Sequence, residues 1–258
     1  MHLPFQDSCI EYLETLAESD KHSILISGIG GSGKTWMAKH FAEYKNISTF
    51  HIVQPKVLDL KELIDSSYKL QDDQVICIEN LDKGKDAAAQ VILKYLEEPL
   101  PNVYIIVTCS NILNIPTTIR SRSIEVTVPN PSFSDICAYG SYINKSKFDV
   151  VKSYSVIKIC KSLSDVRYFL DLPLDKLKYF EKFENEFKSQ SIDSFMWNIG
   201  HFEDNSKIDL KVSLKCLYNC TWVNKNQVLN SLLALETGRI SETAILGKLA
   251  LELFMSRR

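Results

Sequence analysis

The sequence predicts an α/β protein, a parallel sheet with helices on both faces, followed by helical segments that contain no strand. Three observations predict this class. Short apolar runs rich in β-branched residues alternate with stretches of helical periodicity up to Pro129-Asn130-Pro131. The runs are apolar almost throughout, as parallel strands covered on both faces must be. The first of them, Ser23-Ile24-Leu25-Ile26, leads through Ser27 into Gly28-Ile29-Gly30-Gly31-Ser32-Gly33-Lys34-Thr35. That stretch fits G-x-x-x-x-G-K-[ST], the phosphate-binding loop between a strand and a helix.

The elements follow in order. Ser8 to Ala17 reads as a helix with Ile10, Leu13 and Leu16 on one face. Ser23–Ile26 is the first strand, and a helical pattern runs from Trp36 through Ala42. Thr49–Val53 is a second strand that stops before Pro55, and Leu58 to Leu70 is helical. Gln74-Val75-Ile76-Cys77-Ile78 is a buried strand ending in an acid, Glu79. Asp86 to Glu98 is a helix. Three alanines favour it, Val91, Ile92, Tyr95 and Leu96 give it an apolar face, and Pro99 ends it. Val103–Cys109 and Ser123–Val128 complete the strands. Beyond Pro131, Phe133–Tyr142 and Ser155–Leu172 form a small helical unit. The remainder is helical in pattern, with Ile245, Leu246, Leu249, Leu253 and Phe254 at helical spacing over Ser241 to Met255. The expected divisions are 1–130, 131–174 and 175–258.

Bulk properties narrow the function without naming it. The 258 residues carry 30 basic and 32 acidic side chains, a net charge of −2, so nothing global points to nucleic acid. No apolar run approaches a membrane span, and no membrane partner is expected. Met1 to Asp7 lacks a basic stretch followed by an apolar one, so no signal peptide is expected. Among the seven cysteines only Cys216 and Cys220 lie close, with no second pair to complete a zinc site. Cys77 and Cys109 sit inside strands as small core residues. A reducing cytoplasm is the expected location.

The loop carries the chemistry. Its glycines let backbone N–H groups turn inward around phosphate oxygens at the positive end of a helix. Lys34 is placed to reach β- and γ-phosphates, and the Thr35 hydroxyl to hold Mg²⁺. A glycine-rich turn with a surface lysine would need neither the strand before it nor the helix after it. Glu79, at a strand's carboxyl end, is where such proteins place an acid for Mg²⁺; the alternative is a solvated strand-end acid. The next residue, often a glutamate that orients the attacking water, is Asn80, which can hold a water but cannot take its proton. Asn111, just past Val103–Cys109, either reaches a γ-phosphate or the lytic water or is a loop residue. Arg120 and Arg122 form either a solvated surface or a phosphate contact, including one made across a subunit boundary.

Lys94-Tyr95-Leu96-Glu97-Glu98-Pro99 followed by Thr118-Ile119-Arg120-Ser121-Arg122 resembles the clamp-loader branch of the AAA+ ATPases. Within that branch the sequence is most similar to the delta-prime subunits of bacterial DNA polymerase III. Ile78-Glu79-Asn80-Leu81-Asp82-Lys83 supports the likeness, since some delta-prime proteins also put glutamate first and lack the second acid. The resemblance is good over 20–130 and weaker to 175. It implies an AAA+ sheet domain, a helical lid and a collar-like oligomerisation domain. It implies ATP and Mg²⁺ as ligands, with Asn111 as sensor 1, Arg167 in Ser164-Asp165-Val166-Arg167 as sensor 2, and Arg122 as an arginine finger acting in trans. It also implies other clamp-loader subunits in a hetero-oligomeric ring, a sliding clamp and primed DNA as partners. Departures are Ser123 in place of the family's cysteine, no zinc module, a short chain, and an intact phosphate loop where many delta-prime proteins have a degenerate one. Two rivals remain: another AAA+ protein of replication initiation or regulation, and a free-standing P-loop enzyme.

Overall fold

A computed structural model describes residues 4–178, apart from 20, 68, 70, 154–156, 158, 175 and 176, together with 214, 225–237, 245, 248, 249 and 252. The chain divides into two compact units, Met1–Tyr139 with Lys161–Ser164, and Gly140–Cys160 with Asp165–Arg258.

The first unit holds a five-stranded, all-parallel sheet in the order β2-β3-β4-β1-β5. The strands are β1 (Ser23–Ser27), β2 (Thr49–Val53), β3 (Gln74–Ile78), β4 (Val103–Cys109) and β5 (Ile124–Thr127). All five of β3's side chains and all seven of β4's are buried, which explains why those segments are apolar without alternation. Their side chains divide between two cores. Ile24, Ile26, Val75, Cys77 and Ile106 pack with α1 (Asp7–Ala17) and α2 (Lys34–Tyr44). Leu25, Ile76, Ile78, Ile105 and Val107 pack with α3 (Val57–Ser67), α4 (Asp86–Glu97) and Ile119 of the short α5 (Thr117–Arg120). Removing one of these side chains, such as fully buried Leu25, to alanine would cost about 2–5 kcal/mol.

The layering positions the site. β1 and β4 are neighbours, but α2 leaves β1 on one face and α5 leaves β4 on the other. Their following loops therefore diverge and open a crevice at the carboxyl ends, where parallel sheets bind ligands.

Cys77 and Cys109 are buried in the sheet, and burial pushes their thiols up to about 12 and about 11 respectively. Both stay protonated and inert, as expected of core residues.

Two helical expectations need correction. The helix expected over Phe133–Tyr142 runs on as α6, Phe133–Ser153, with Asn144 in a non-helical conformation. Asn144 Oδ1 accepts the Lys147 N–H at 3.0 Å, so a side-chain cap restarts the helix and lets it continue past the break. The segment Ser155–Leu172 is not one helix; α7 spans Leu163–Asp171. Leu163 N–H is bonded at 3.1 Å to the carbonyl of Gly31, a tie that a helix already formed upstream would not leave free. In the second unit a helix spans Lys225–Thr237, and Ile245 and Leu249 are buried. Most of Ser241–Met255, with Cys216 and Cys220, lies outside the described residues. Among the described residues no helix is long and apolar enough to cross a membrane.

Candidate functional site

The loop Gly28–Thr35 lies in the crevice between β1 and α2. Gly31 and Gly33 have φ of +77° and +93°, the left-handed region that side chains disfavour. A Cβ at Gly31 would also collide with Ser164 Oγ, and one at Gly33 would stand 2.7 Å from Gln6 Nε2. Each glycine therefore answers both a backbone and a packing demand. The loop is tied from four sides. Gly28 N–H donates to Cys109 O at 3.2 Å and Leu163 N–H to Gly31 O at 3.1 Å. Gln6 Nε2 donates to Ser32 O at 2.8 Å in a buried contact, and Val128 packs against Gly28.

Lys34 is the buried cation of the site, 7% exposed. Its ammonium donates to the carbonyls of Gly28 at 2.7 Å and Ile29 at 2.8 Å. Burial lowers its pKa from the usual lysine value, and the carboxylates of Asp82 and Glu79 partly oppose that shift. Ser32 is fully buried, and its hydroxyl has no partner among the described residues. A buried cation, an orphaned hydroxyl and a helix N-terminus on a loop held open by glycines make a cradle suited to a polyanion.

Glu79 follows directly on β3. Its backbone N–H donates to Val53 O at 2.9 Å, which fixes the residue across the ends of β2 and β3. One carboxylate oxygen accepts the Thr35 hydroxyl and the other accepts Gln54 Nε2 at 2.9 Å. The two residues expected to serve Mg²⁺ are thus in direct contact, and a hydroxyl beside a carboxylate is a hard-oxygen donor set that suits this ion. Protein ligands are few in such sites, because Mg²⁺ keeps several waters and takes phosphate oxygens.

Asn80 adopts φ +52°, ψ +48°, and its N–H donates to Thr108 Oγ1 at 3.1 Å. Asparagine tolerates that conformation better than glutamate, so a backbone demand also acts on this position. Asn111 is exposed; its Oδ1 caps the turn Ile112–Asn114 by accepting Leu113 N–H at 3.0 Å. Its own N–H donates to Asp82 Oδ2 at 3.1 Å, so Asp82 links the loop after β3 to the loop after β4.

The two arginines at the end of α5 and just beyond it are engaged differently. Arg120 binds Glu125 with both ends of its fork, at 2.8 and 3.4 Å. Arg122 donates to Thr118 O at 3.0 Å and pairs with Glu97 at 3.0 Å, with 38% of its side chain exposed. That pair joins the two motifs Lys94–Pro99 and Thr118–Arg122 in space. Arg167 is an exposed residue of α7 in the second unit.

Sequence reasoning singled out the loop and Glu79, and the structure brings Thr35 and Glu79 together. It missed Gln6, Gln54, Thr108 and Asp82, which reach the site across 25 to 29 positions of chain. Their motif offers no local signal. Only the position of Gln54 directly after a strand, at the carboxyl end of the sheet, could have raised it.

Comparison with known proteins bears on this arrangement. Residues 50–132 match the family described as DNA polymerase III, delta subunit. The matched stretch begins beyond the phosphate loop and contains both Lys94–Pro99 and Thr118–Arg122, so it does not rest on the loop. Over that stretch the chain resembles a clamp-loader family. It is 25% identical to the DNA polymerase III subunit delta' of Haemophilus influenzae over 129 residues. That match covers 49% of this chain and 36% of the relative's length. A DNA polymerase III gamma subunit-related protein of Thermotoga maritima superposes with a TM-score of 0.66 at 16% identity, over 96% of this chain and 99% of its own. The Thermotoga maritima RuvB Holliday junction branch migration motor superposes with a TM-score of 0.53 at 14% identity, over 98% and 87% of the two chains. At those identities the likeness is one of fold, and the fold is AAA+.

Proposed function

We propose that this chain is a delta-prime-like clamp-loader subunit that binds ATP with Mg²⁺ and helps place a sliding clamp on primed DNA. The observation that carries the reading is the contact of Thr35 with Glu79 beneath a loop whose lysine is buried. Lys34 would release the Gly28 and Ile29 carbonyls and turn its ammonium to the β- and γ-phosphates. Loop N–H groups would take the remaining phosphate oxygens. Thr35 and Glu79 would hold Mg²⁺, which when bound neutralises charge on the phosphates. Asn80 would stand at the water-facing position without a carboxylate, so hydrolysis by the isolated chain is slow. Asn111 would serve as sensor 1, Arg167 as sensor 2, and Arg122 would face a neighbour's γ-phosphate in a hetero-oligomeric ring. In this reading 1–130 is the AAA+ domain, 131–174 a lid and 175–258 a collar-like domain. ATP would favour the assembled, clamp- and DNA-binding state, and its hydrolysis would release it.

Calorimetry of the purified chain with ATP and Mg²⁺ tests the nucleotide half; absence of binding sinks it. Co-purification with polymerase subunits and a sliding clamp tests the other half. A chain that binds ATP and runs as a monomer in the presence of those proteins would favour the free-standing enzyme.

A further inference from the structure

We infer that Gln6 is a positioning residue of the phosphate loop. The inference rests on the nucleotide reading above. Gln6 lies outside the loop motif, at the end of the short 3-10 turn Pro4–Gln6, directly before α1. The turn's Phe5 packs against the core shared by α1 and α2, which fixes where Gln6 stands. Gln6 is 2% exposed, and its Nε2 donates to the carbonyl of Ser32 at 2.8 Å. The same nitrogen occupies the space a side chain at Gly33 would need, 2.7 Å from where that Cβ would be. The amide and the glycine therefore fit each other.

The consequence follows from peptide geometry. In a trans peptide the C=O and the next residue's N–H point in opposite directions, and the described peptides include no cis bond. With the Ser32 carbonyl held against Gln6, the Gly33 N–H must point away from the N-terminal turn. Gly33 sits at the N-terminal cap of α2, at φ +93°, a conformation from which the Ser32–Gly33 peptide could otherwise rotate. Gln6 thus keeps one N–H directed to the phosphates before the ligand arrives, and spares binding the cost of ordering it. Without Gln6 the Ser32 carbonyl would be left buried and unpaired, a state the peptide can escape by turning over.

The test is Gln6→Met, which keeps length and bulk and removes the donor. Calorimetry with ATP and Mg²⁺ reads both dissociation constant and stoichiometry. The expected result is a Kd raised about tenfold at unchanged stoichiometry, because one buried hydrogen bond of this kind is worth roughly that factor. Gln6→Glu, which keeps the size and also loses the donor, should weaken binding at least as much. It provides the measurement if the methionine variant does not fold. A lowered stoichiometry with wild-type Kd would mean that Gln6 only supports folding, and would overturn the inference. So would wild-type Kd in both variants. Wild-type protein that fails to bind ATP would instead remove the nucleotide reading itself.

Discussion

The loop Gly28–Thr35 and the segment Arg120–Arg122 at the end of α5 both carry cations in one sheet domain, and they treat them in opposite ways. Lys34 is buried and bonded to its own loop, and that loop is held by contacts from Gln6, Cys109 and Leu163. Arg122 is exposed and restrained by one carbonyl and one partly exposed carboxylate, a pairing worth little in water. A buried cation has already lost its hydration, so a ligand that reaches it gains the full charge-assisted bond. An exposed guanidinium with a weak partner is free to exchange that partner for a phosphate on another molecule. Arg120 shows the contrast within three residues: its two-pronged bond to Glu125 fixes it, and only Arg122 remains available. Under the proposed function the loop serves a ligand of its own chain and the arginine segment a ligand brought by a neighbour.

The largest effect should come from the exposed side of this contrast. Arg122→Ala in the assembled ring should lower turnover at the one interface it serves by roughly 10³-fold, the usual worth of a trans arginine. ATP affinity of the isolated chain should not change. If instead the isolated chain binds ATP more weakly and the ring turns over normally, the division between own and neighbouring ligand is wrong.

Next comes the position that the buried side lacks. Asn80→Glu should raise turnover at saturating ATP by about 10²-fold if residue 80 faces the water. It should also lower stability by about 1 kcal/mol, because glutamate tolerates the left-handed conformation of this residue poorly. Asn80→Gly separates the two effects: thermal denaturation should find it close to wild type, and steady-state assays should find its turnover no higher. Turnover unaffected by the glutamate would place the water elsewhere.

Lys34→Ala should raise the Kd for ATP by tens of fold, as loss of a charge-assisted contact predicts. An unchanged Kd by calorimetry would mean that the buried cation never meets a phosphate.

The smallest effect is a pH slope. Lys34 titrates below its usual 10.5 in the folded chain and near 10.5 when unfolded. Between those values the unfolded chain holds more protons. Stability of the nucleotide-free protein therefore rises with pH across that window, and the burial penalty is fully present below it. Lys34→Met should flatten this part of the denaturation profile. A slope that survives the substitution belongs to another group.

Much of this was legible in the sequence, for identifiable reasons. Strands such as Val103–Cys109 announce themselves because both faces are covered, and the loop motif is a local device whose spacing is its geometry. Asp86–Glu97 carries its own alanines, its apolar face and a terminating proline. What stayed hidden depends on partners distant in the chain. Gln54 is an ordinary polar residue until Glu79 lies beside it, and Asp82 gains its role from the N–H of Asn111. The start of α7 was misplaced because Leu163 answers to Gly31 rather than to its own neighbours. The break at Asn144 was readable in principle, since asparagine at that point can cap a following turn.

The strand order has a bearing on how the protein is made. β1 is made before the other four described strands, yet its sheet neighbours are β4 and β5, the last of the five. Chains are synthesised at about 5–20 residues per second, so β1 waits on the order of seconds for a partner. During that interval the glycine loop lacks the sheet-side anchor that the Cys109 carbonyl later supplies. β2 and β3 can pair with each other meanwhile, leaving an apolar edge that only β4 covers. A nascent chain stalled before β4 would therefore present sticky strands and a glycine loop without its sheet-side anchor. Any ligand of the glycine loop can aid folding only after the sheet has closed around β1.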